Sequence, residues 1–300
     1  MRMVLAVLCT ALLAGCGSER PLAERLGQPT TIRVSGVPFH PQDGFGCGTA
    51  SLAMMLEWSG LHVGPKDLEG QLAAGRDDPR TGMIDTARRW GRLSYAVKGS
   101  DAMMAELAAG HPVLILENLG LRNEPMWNCP VAIGYDRERG DVLMHSGVDP
   151  AKRTPVRLLR RLWSETDEWG LVVLPPGDLP AMAERDAYLE ATAGLEQAGR
   201  HWEAVMAYDA ALSRWPADAG VLMGLGSSLY QLGDPQGAAD AYQAASALAP
   251  DPGPALDKLA QVLAGLGRRD EAVAAATKAV ALGGPMKASY EKTLKDVTKK

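Results

Sequence analysis

The chain has 300 residues, enough for one large or two ordinary domains. It is 46% hydrophobic and 22% charged, the balance of a packed globular protein rather than a disordered one. A net charge of −5 and the lack of any basic stripe give no support to a nucleic-acid partner.

Residues 1–15 read as a signal peptide. Arg2 precedes an apolar stretch from Met3 to Leu13, and small residues lead up to Cys16. The stretch is too short to span a bilayer and has the layout of a secretory signal. Its ending, Leu-Ala-Gly-Cys, resembles the lipobox of bacterial lipoproteins. That resemblance implies cleavage before Cys16 and a diacylglycerol on its thiol. Acyl chains buried at about 0.8 kcal/mol per CH₂ would hold the protein on a membrane. Gly17 follows the cysteine where an Asp would signal inner-membrane retention, so the expected place is the outer membrane, facing the periplasm. Residues 16–30 are polar and read as the lipidated tether.

From Thr31 the pattern becomes short strands mixed with helices. "CGTASLAMMLEWSG" reads as a helix stopped by Gly60, and "GMIDTARRWG" and "DAMMAELAAG" as two more, each closed by a glycine in the C′ position. "PVLILEN" is a β-rich run. "VAIGYD-RERG-DVLMHSG" reads as a hairpin, and "GLVVLPPGDLP" as a last strand entering a Pro/Gly linker. Residues 31–178 are therefore expected to form an α+β domain.

Beyond about residue 183 the chain turns Ala-rich and helical, with a 34-residue period. Gly199, Gly233 and Gly267 keep it, as do Ala204, Ala238 and Ala272, and Leu195, Leu229 and Leu263. Tyr208 with Tyr242, and Pro216 with Pro250, follow the same spacing. The period resembles the tetratricopeptide repeat. Residues 184–300 are expected to fold as an independent superhelix whose concave face takes a protein partner.

The chemistry centres on "PQDGFGCGTASLAMML". A cysteine at a helix start gains thiolate character from the free N–H groups and partial positive charge there. Cys47 is placed for that, and the Gln42 amide is placed to supply an oxyanion donor. "VPFHPQDGFGCGTASLAMML", "AAGHPVLIL" and "VAIGYD…VLMHSG" together resemble papain-like cysteine peptidases of the bacteriocin-processing, double-glycine type. More narrowly, the chain resembles lipoprotein members of that family with C-terminal tetratricopeptide repeats. The resemblance implies a Cys–His–Asp/Asn site, a peptide or protein substrate in a cleft, and no cofactor. No metal-ligand spacing or phosphate-binding glycine loop is present.

The sequence departs from the family where His is expected, because Asn128 stands there. An amide cannot carry a thiol proton. Of the five histidines, His40 reads as cleft wall, His62 as a loop residue, His111 as a turn cap, and His201 lies in a repeat turn. His145 falls near the family's third-member position. If the hairpin turns at Glu138–Arg139, then 145 faces 132 and 128 faces Asp149, which makes Asp149 a second orienting candidate. Cys129 alternates with Asn128, so it is expected to be a buried core thiol and not to bridge to Cys47. Three functions stay open: a thiol peptidase using His145, a pseudopeptidase that binds extended peptides, and an assembly protein working through its repeats.

Overall fold

The computed structural model describes residues 29–42, 48–72, 79–121 and 124–299. In chain order the first half runs β1 (Thr31–Arg33), α1 (Thr49–Trp58), α2 (Pro79–Arg89), β2 (Leu93–Lys98), α3 (Gly99–Ala108), β3 (Val113–Ile115), β4 (Glu117–Asn118) and β5 (Trp127–Asn128). It continues through β6 (Val131–Asp136), β7 (Asp141–Ser146), β8 (Asp149–Pro155), α4 (Val156–Trp163) and β9 (Trp169–Leu174). Seven strands form one antiparallel sheet in the order β2-β9-β3-β6-β7-β8, with β1 also on β6. β3 pairs with the first residues of β6 and β1 with the last. Gly134 is what lets β1 in, since a Cβ there would sit 2.3 Å from the Ile32 carbonyl oxygen. β4 and β5 form a separate two-stranded ribbon.

The central strands are buried on both faces, and alternation sorts their side chains into two cores. Leu114, Val131, Ile133, Leu171 and Val173 face α1 and α2, which contribute Leu52, Met55, Leu56 and Met83. Val113, Ile115, Ala132, Val172 and Leu174 face the other way, onto Met103 and Leu107 of α3 and Trp163 of α4. A β-bulge between Ala132 and Gly134 breaks the register of β6 on β7. Tyr135 therefore lies with Ala132 rather than with Ile133. The glycines expected to stop helices do so: Gly60 and Gly110 have φ of 95° and 91°, which a residue with a Cβ rarely adopts.

A fully buried carboxylate sits at the end of α3. Glu106 Oε2 lies 2.7 Å from His111 Nδ1, joining the helix to the entry of β3. His111 thus ties down the turn where a simple cap was expected. His40 Nε2, 2.7 Å from Glu57 Oε2, pins residues 37–42 to α1.

The second half is all α: α5 (Arg185–Gln197), α6 (His201–Arg214), α7 (Ala219–Gln231), α8 (Pro235–Leu248), α9 (Gly253–Gly265), α10 (Arg269–Leu282) and α11 (Lys287–Lys299). The 34-residue columns have structural counterparts. Gly199, Gly233 and Gly267 turn between helices with φ of 72°, 81° and 77°. Ala204, Ala238 and Ala272 are fully buried, where a small side chain lets paired helices approach. Tyr208 lies against Gly224 and Tyr242 against Gly226, filling the space between neighbouring helices.

The first repeat is not separated from the sheet. The core on the α3 face continues through Tyr188, Leu195, Ala204, Tyr208 and Leu225. The Glu184 N–H donates to the Tyr95 hydroxyl at 3.0 Å, and Arg200 Nε donates to the Arg89 carbonyl at 2.8 Å. The later repeats have their own core, including Leu259, Leu263, Ala276 and Val297.

Candidate active site

Cys47, the expected nucleophile, lies outside the described residues, as does Cys16, the expected lipid-bearing residue. Gln42 and residues 48–72 are described and lie on either side of Cys47 in the chain. Gly48, buried with φ 97°, leads into α1. The first turn of α1 carries Ser51, fully buried, whose hydroxyl donates to the Cys129 carbonyl. Gln42 Nε2 donates to Ser51 Oγ at 2.8 Å and to that same carbonyl at 2.9 Å. Both amide hydrogens of Gln42 are thereby used, and neither is left for an oxyanion.

Asn128 is on β5, directly opposite Glu117 on β4. Its Nδ2 donates to Glu117 Oε2 at 2.7 Å. Glu117 is buried, and that burial raises its carboxyl pKa above the ordinary value; the Asn128 hydrogen bond and the charge of Lys152 pull the other way. The position expected to hold a base therefore holds an amide that satisfies a buried acid. Glu117 was not anticipated. The only sequence signal was an acid directly after an apolar strand run, "LILEN".

His145 is turned to other partners. It pairs in register with Val131, not with residue 132, because of the bulge in β6. Its Nε2 lies 3.3 Å from the Val37 carbonyl, and its Nδ1 accepts from the Ala151 N–H at 3.2 Å. Phe39 packs on the ring at 5.3 Å between centroids. Both nitrogens are engaged by backbone, which fixes a neutral imidazole protonated on Nε2. Burial is the main cause that lowers its pKa; the nearby Arg33 charge acts the same way, against the Val37 hydrogen bond. Asp149 is exposed and pairs with Ser146, because the chain reverses at Gly147–Val148. It does not face Asn128, so the expected 128–149 pairing does not form.

The lowered His145 pKa has a consequence for stability. A folded state that favours the neutral ring is fully stabilised above the ordinary histidine value, near 6.5, and loses that contribution as pH falls through it. Urea midpoints should therefore drop between pH 7.5 and pH 5. In His145→Gln that drop should shrink, while the midpoint at pH 7.5 falls by about 1–3 kcal/mol equivalent for the lost buried bonds. An unchanged pH dependence in the variant would contradict the assignment.

Cys129 differs most from expectation. It is fully buried against the α1-side core, as anticipated, but it is disulfide-bonded rather than a free thiol. Its partner lies outside the described residues.

Comparison with known proteins gives a tetratricopeptide-repeat family model matching residues 194–252. No curated protein sequence matches the chain. Among solved structures, one described as a C39-like peptidase from Bacillus anthracis is 19% identical. It covers 49% of this chain and 98% of its own, with a TM-score of 0.42. The Yersinia enterocolitica type III secretion chaperone SycD, in complex with a peptide of the translocator YopD, is 16% identical. It covers 38% of this chain and 92% of its own, with a TM-score of 0.36. MamA is 21% identical, covering 38% of this chain and 76% of its own at a TM-score of 0.32. These are similarities of chain trace alone.

A cavity of about 560 Å³ lies on the other face of the sheet, lined by Met103, Met104, Tyr135, Val142, Leu159 and Trp163. It contains none of the candidate catalytic groups.

Proposed function

We propose that residues 31–178 are a papain-like peptidase domain that binds peptides without cleaving them, and that the repeats dock a protein partner. The observation that supports this reading is the commitment of Gln42, Asn128 and His145 to other partners. Gln42 is spent on Ser51 and Cys129, Asn128 on Glu117, and His145 on Val37 and Ala151. A general base must be within reach of the proton it takes and have a nitrogen or carboxylate to take it. Asn128 supplies neither, and His145 has no unengaged nitrogen. Cys47 keeps the nucleophile's place in the sequence.

On the repeats, a groove of about 400 Å³ between α7 and α9 is lined by Met223, Ser227, Tyr230, Lys258 and Gln261. It offers an exposed aromatic ring, amide donors and one cation, a mixture suited to an extended peptide. The domain assignment is tested with a fluorescein-labelled casein digest. Anisotropy should rise on adding protein, while product analysis shows no new termini over hours. Turnover that disappears in Cys47→Ala would overturn the non-catalytic reading.

The same proposal places the protein on the envelope as a lipoprotein anchored through Cys16. Among the described residues no helix is long and apolar enough to cross a membrane. Mass spectrometry of detergent-extracted protein should find an acylated Cys16 at the mature N-terminus. A soluble mature chain with unmodified Cys16 would refute the anchor.

A further inference from the structure

We infer that the cavity between α3 and α4 is a binding site for an anionic amphiphile, its unbranched acyl chain in the cavity and its negative headgroup on Ser100 and Arg160. The site lies on the α3 face of the sheet, opposite α1, so it does not depend on the peptide-binding reading.

The walls call for an apolar body. The cavity volume of about 560 Å³ falls in the range of about 300–1,000 Å³ typical of small-molecule sites. Met103, Met104, Val142 and Leu159 are in its wall, and the two methionines are flexible enough to follow a chain. The polar tips of its two aromatic rings are spent elsewhere. Trp163 Nε1 donates to the Trp169 carbonyl at 2.6 Å, and the Tyr135 hydroxyl donates to the Pro29 carbonyl at 3.0 Å. Neither hydrogen is left for an occupant.

One end of the cavity suits a negative charge. Ser100, 7% exposed, stands in the first turn of α3, whose N-cap residue Lys98 makes no side-chain cap. The Ser100 oxygen accepts from Arg160 Nε at 3.2 Å and from Nη2 at 2.9 Å. Both of its lone pairs are thereby used, and its own hydrogen has no acceptor among the described residues. Arg160 has no ion-pair partner among them either. The helix start adds partial positive charge at the same place. Asp101, the acid of that turn, does not line the cavity. On α4, Arg157, Arg160 and Arg161 share one side, while Val156, Leu159 and Trp163 share the other. Arg160 thus borders the apolar wall, with two more cations beyond it.

The acids at the cavity set the direction. Asp136, Glu138 and Asp141 line it at the β6–β7 turn, where Asp136 is offset by Arg139 at 3.5 Å and Arg153 at 3.8 Å. The Val156 N–H donates to the Gly140 carbonyl at 2.9 Å, so this turn meets the first residue of α4. Arg160 is about 6 Å further along the helix. A headgroup on Arg160 and Ser100 therefore points away from Glu138 and Asp141.

The test uses the full chain in detergent micelles, irradiated with a diazirine-bearing palmitic acid and mapped by mass spectrometry. Label is expected on the peptides holding Met103, Met104 and Val156. It should saturate with probe and be competed by palmitate but not by hexadecanol, which lacks the charge. Arg160→Gln should weaken this labelling about tenfold by removing a charged hydrogen bond. Met104→Trp, at a half-buried wall position, should fill the cavity and remove the label. Thermal midpoints measured on both variants separate loss of the site from loss of the fold. Competition by phosphatidylglycerol assigns the headgroup to a phospholipid phosphate, and competition by palmitate alone assigns it to a free carboxylate. Equal competition by hexadecanol would overturn the site. So would label spread over exposed Trp202, Leu248 and Leu282 and unchanged in both variants.

Discussion

Asn128→His is expected to give the protein thiol peptidase activity, at least 10²-fold faster on labelled casein than the native protein. The variant supplies an imidazole able to take a thiol proton and pass it to the leaving amine, which the Asn128 amide cannot do. General acid–base assistance contributes about 10²–10⁴ in rate, and groups acting as a unit show strongly non-additive losses. The orienting partner of the imidazole is already in place. Glu117 accepts from Asn128 Nδ2 at 2.7 Å, and an imidazole N–H at the same position would find the same carboxylate. An imidazolium would also offset the burial that now raises the Glu117 pKa. Thiol alkylation against pH should show a reactive thiolate well below pH 8.5 in Asn128→His and not in the native protein. Adding Glu117→Gln should lower the gain about tenfold by loosening the ring. If the native protein hydrolyses casein as fast as Asn128→His, a different base operates and the role given to residue 128 fails.

The helices and the repeats were legible because their signals are local. A glycine at C′ or a 34-residue column acts through neighbours in sequence, and Gly60, Gly110, Gly199, Gly233 and Gly267 all take the left-handed backbone expected. The details of the site depend on pairings that such signals do not carry. β8, "DPAKRTP", was not anticipated: it is mostly exposed and polar and carries a proline near each end, the composition of an edge strand. Its presence reverses the chain after Gly147 and removes Asp149 from the site. The bulge in β6 moves His145 by one register position. The parity rule that turned Cys129 away from the site assumed one strand through 128 and 129. Instead Asn128 ends the short β5 ribbon, and Pro130 separates it from β6. Alternation does not carry across that break, so an amide facing Glu117 and a disulfide-bonded neighbour are compatible. Glu117 itself was hidden because a buried acid at the end of an apolar run leaves no periodic trace.

Ending the chain at residue 178 is expected to cost the front half its cooperative fold, although its sheet and all its strands are retained. The sheet's α3-side core does not close on itself. Leu93, Tyr95, Val172 and Leu174 belong to the same buried cluster as Tyr188, Ala191, Leu195, Ala204 and Tyr208. Removing the repeats exposes that apolar face and leaves the Tyr95 hydroxyl without the Glu184 N–H. Each large side chain brought from burial to water costs about 1.5–3 kcal/mol, and several together exceed a large part of a domain's net stability of about 5–15 kcal/mol. The 29–178 fragment should therefore bind a hydrophobic dye, aggregate, and show no sharp urea transition. The complementary fragment, 184–300, should behave unevenly. Its last helices keep their own core around Leu259, Leu263 and Val297. Its first pair, α5 and α6, loses the sheet and should exchange amide hydrogens fastest and unfold at lower urea. Mixing the two fragments should restore slow exchange in α5. A soluble 29–178 fragment with a sharp transition at the full-length midpoint would show that the two halves are stable separately and that the shared core contributes little.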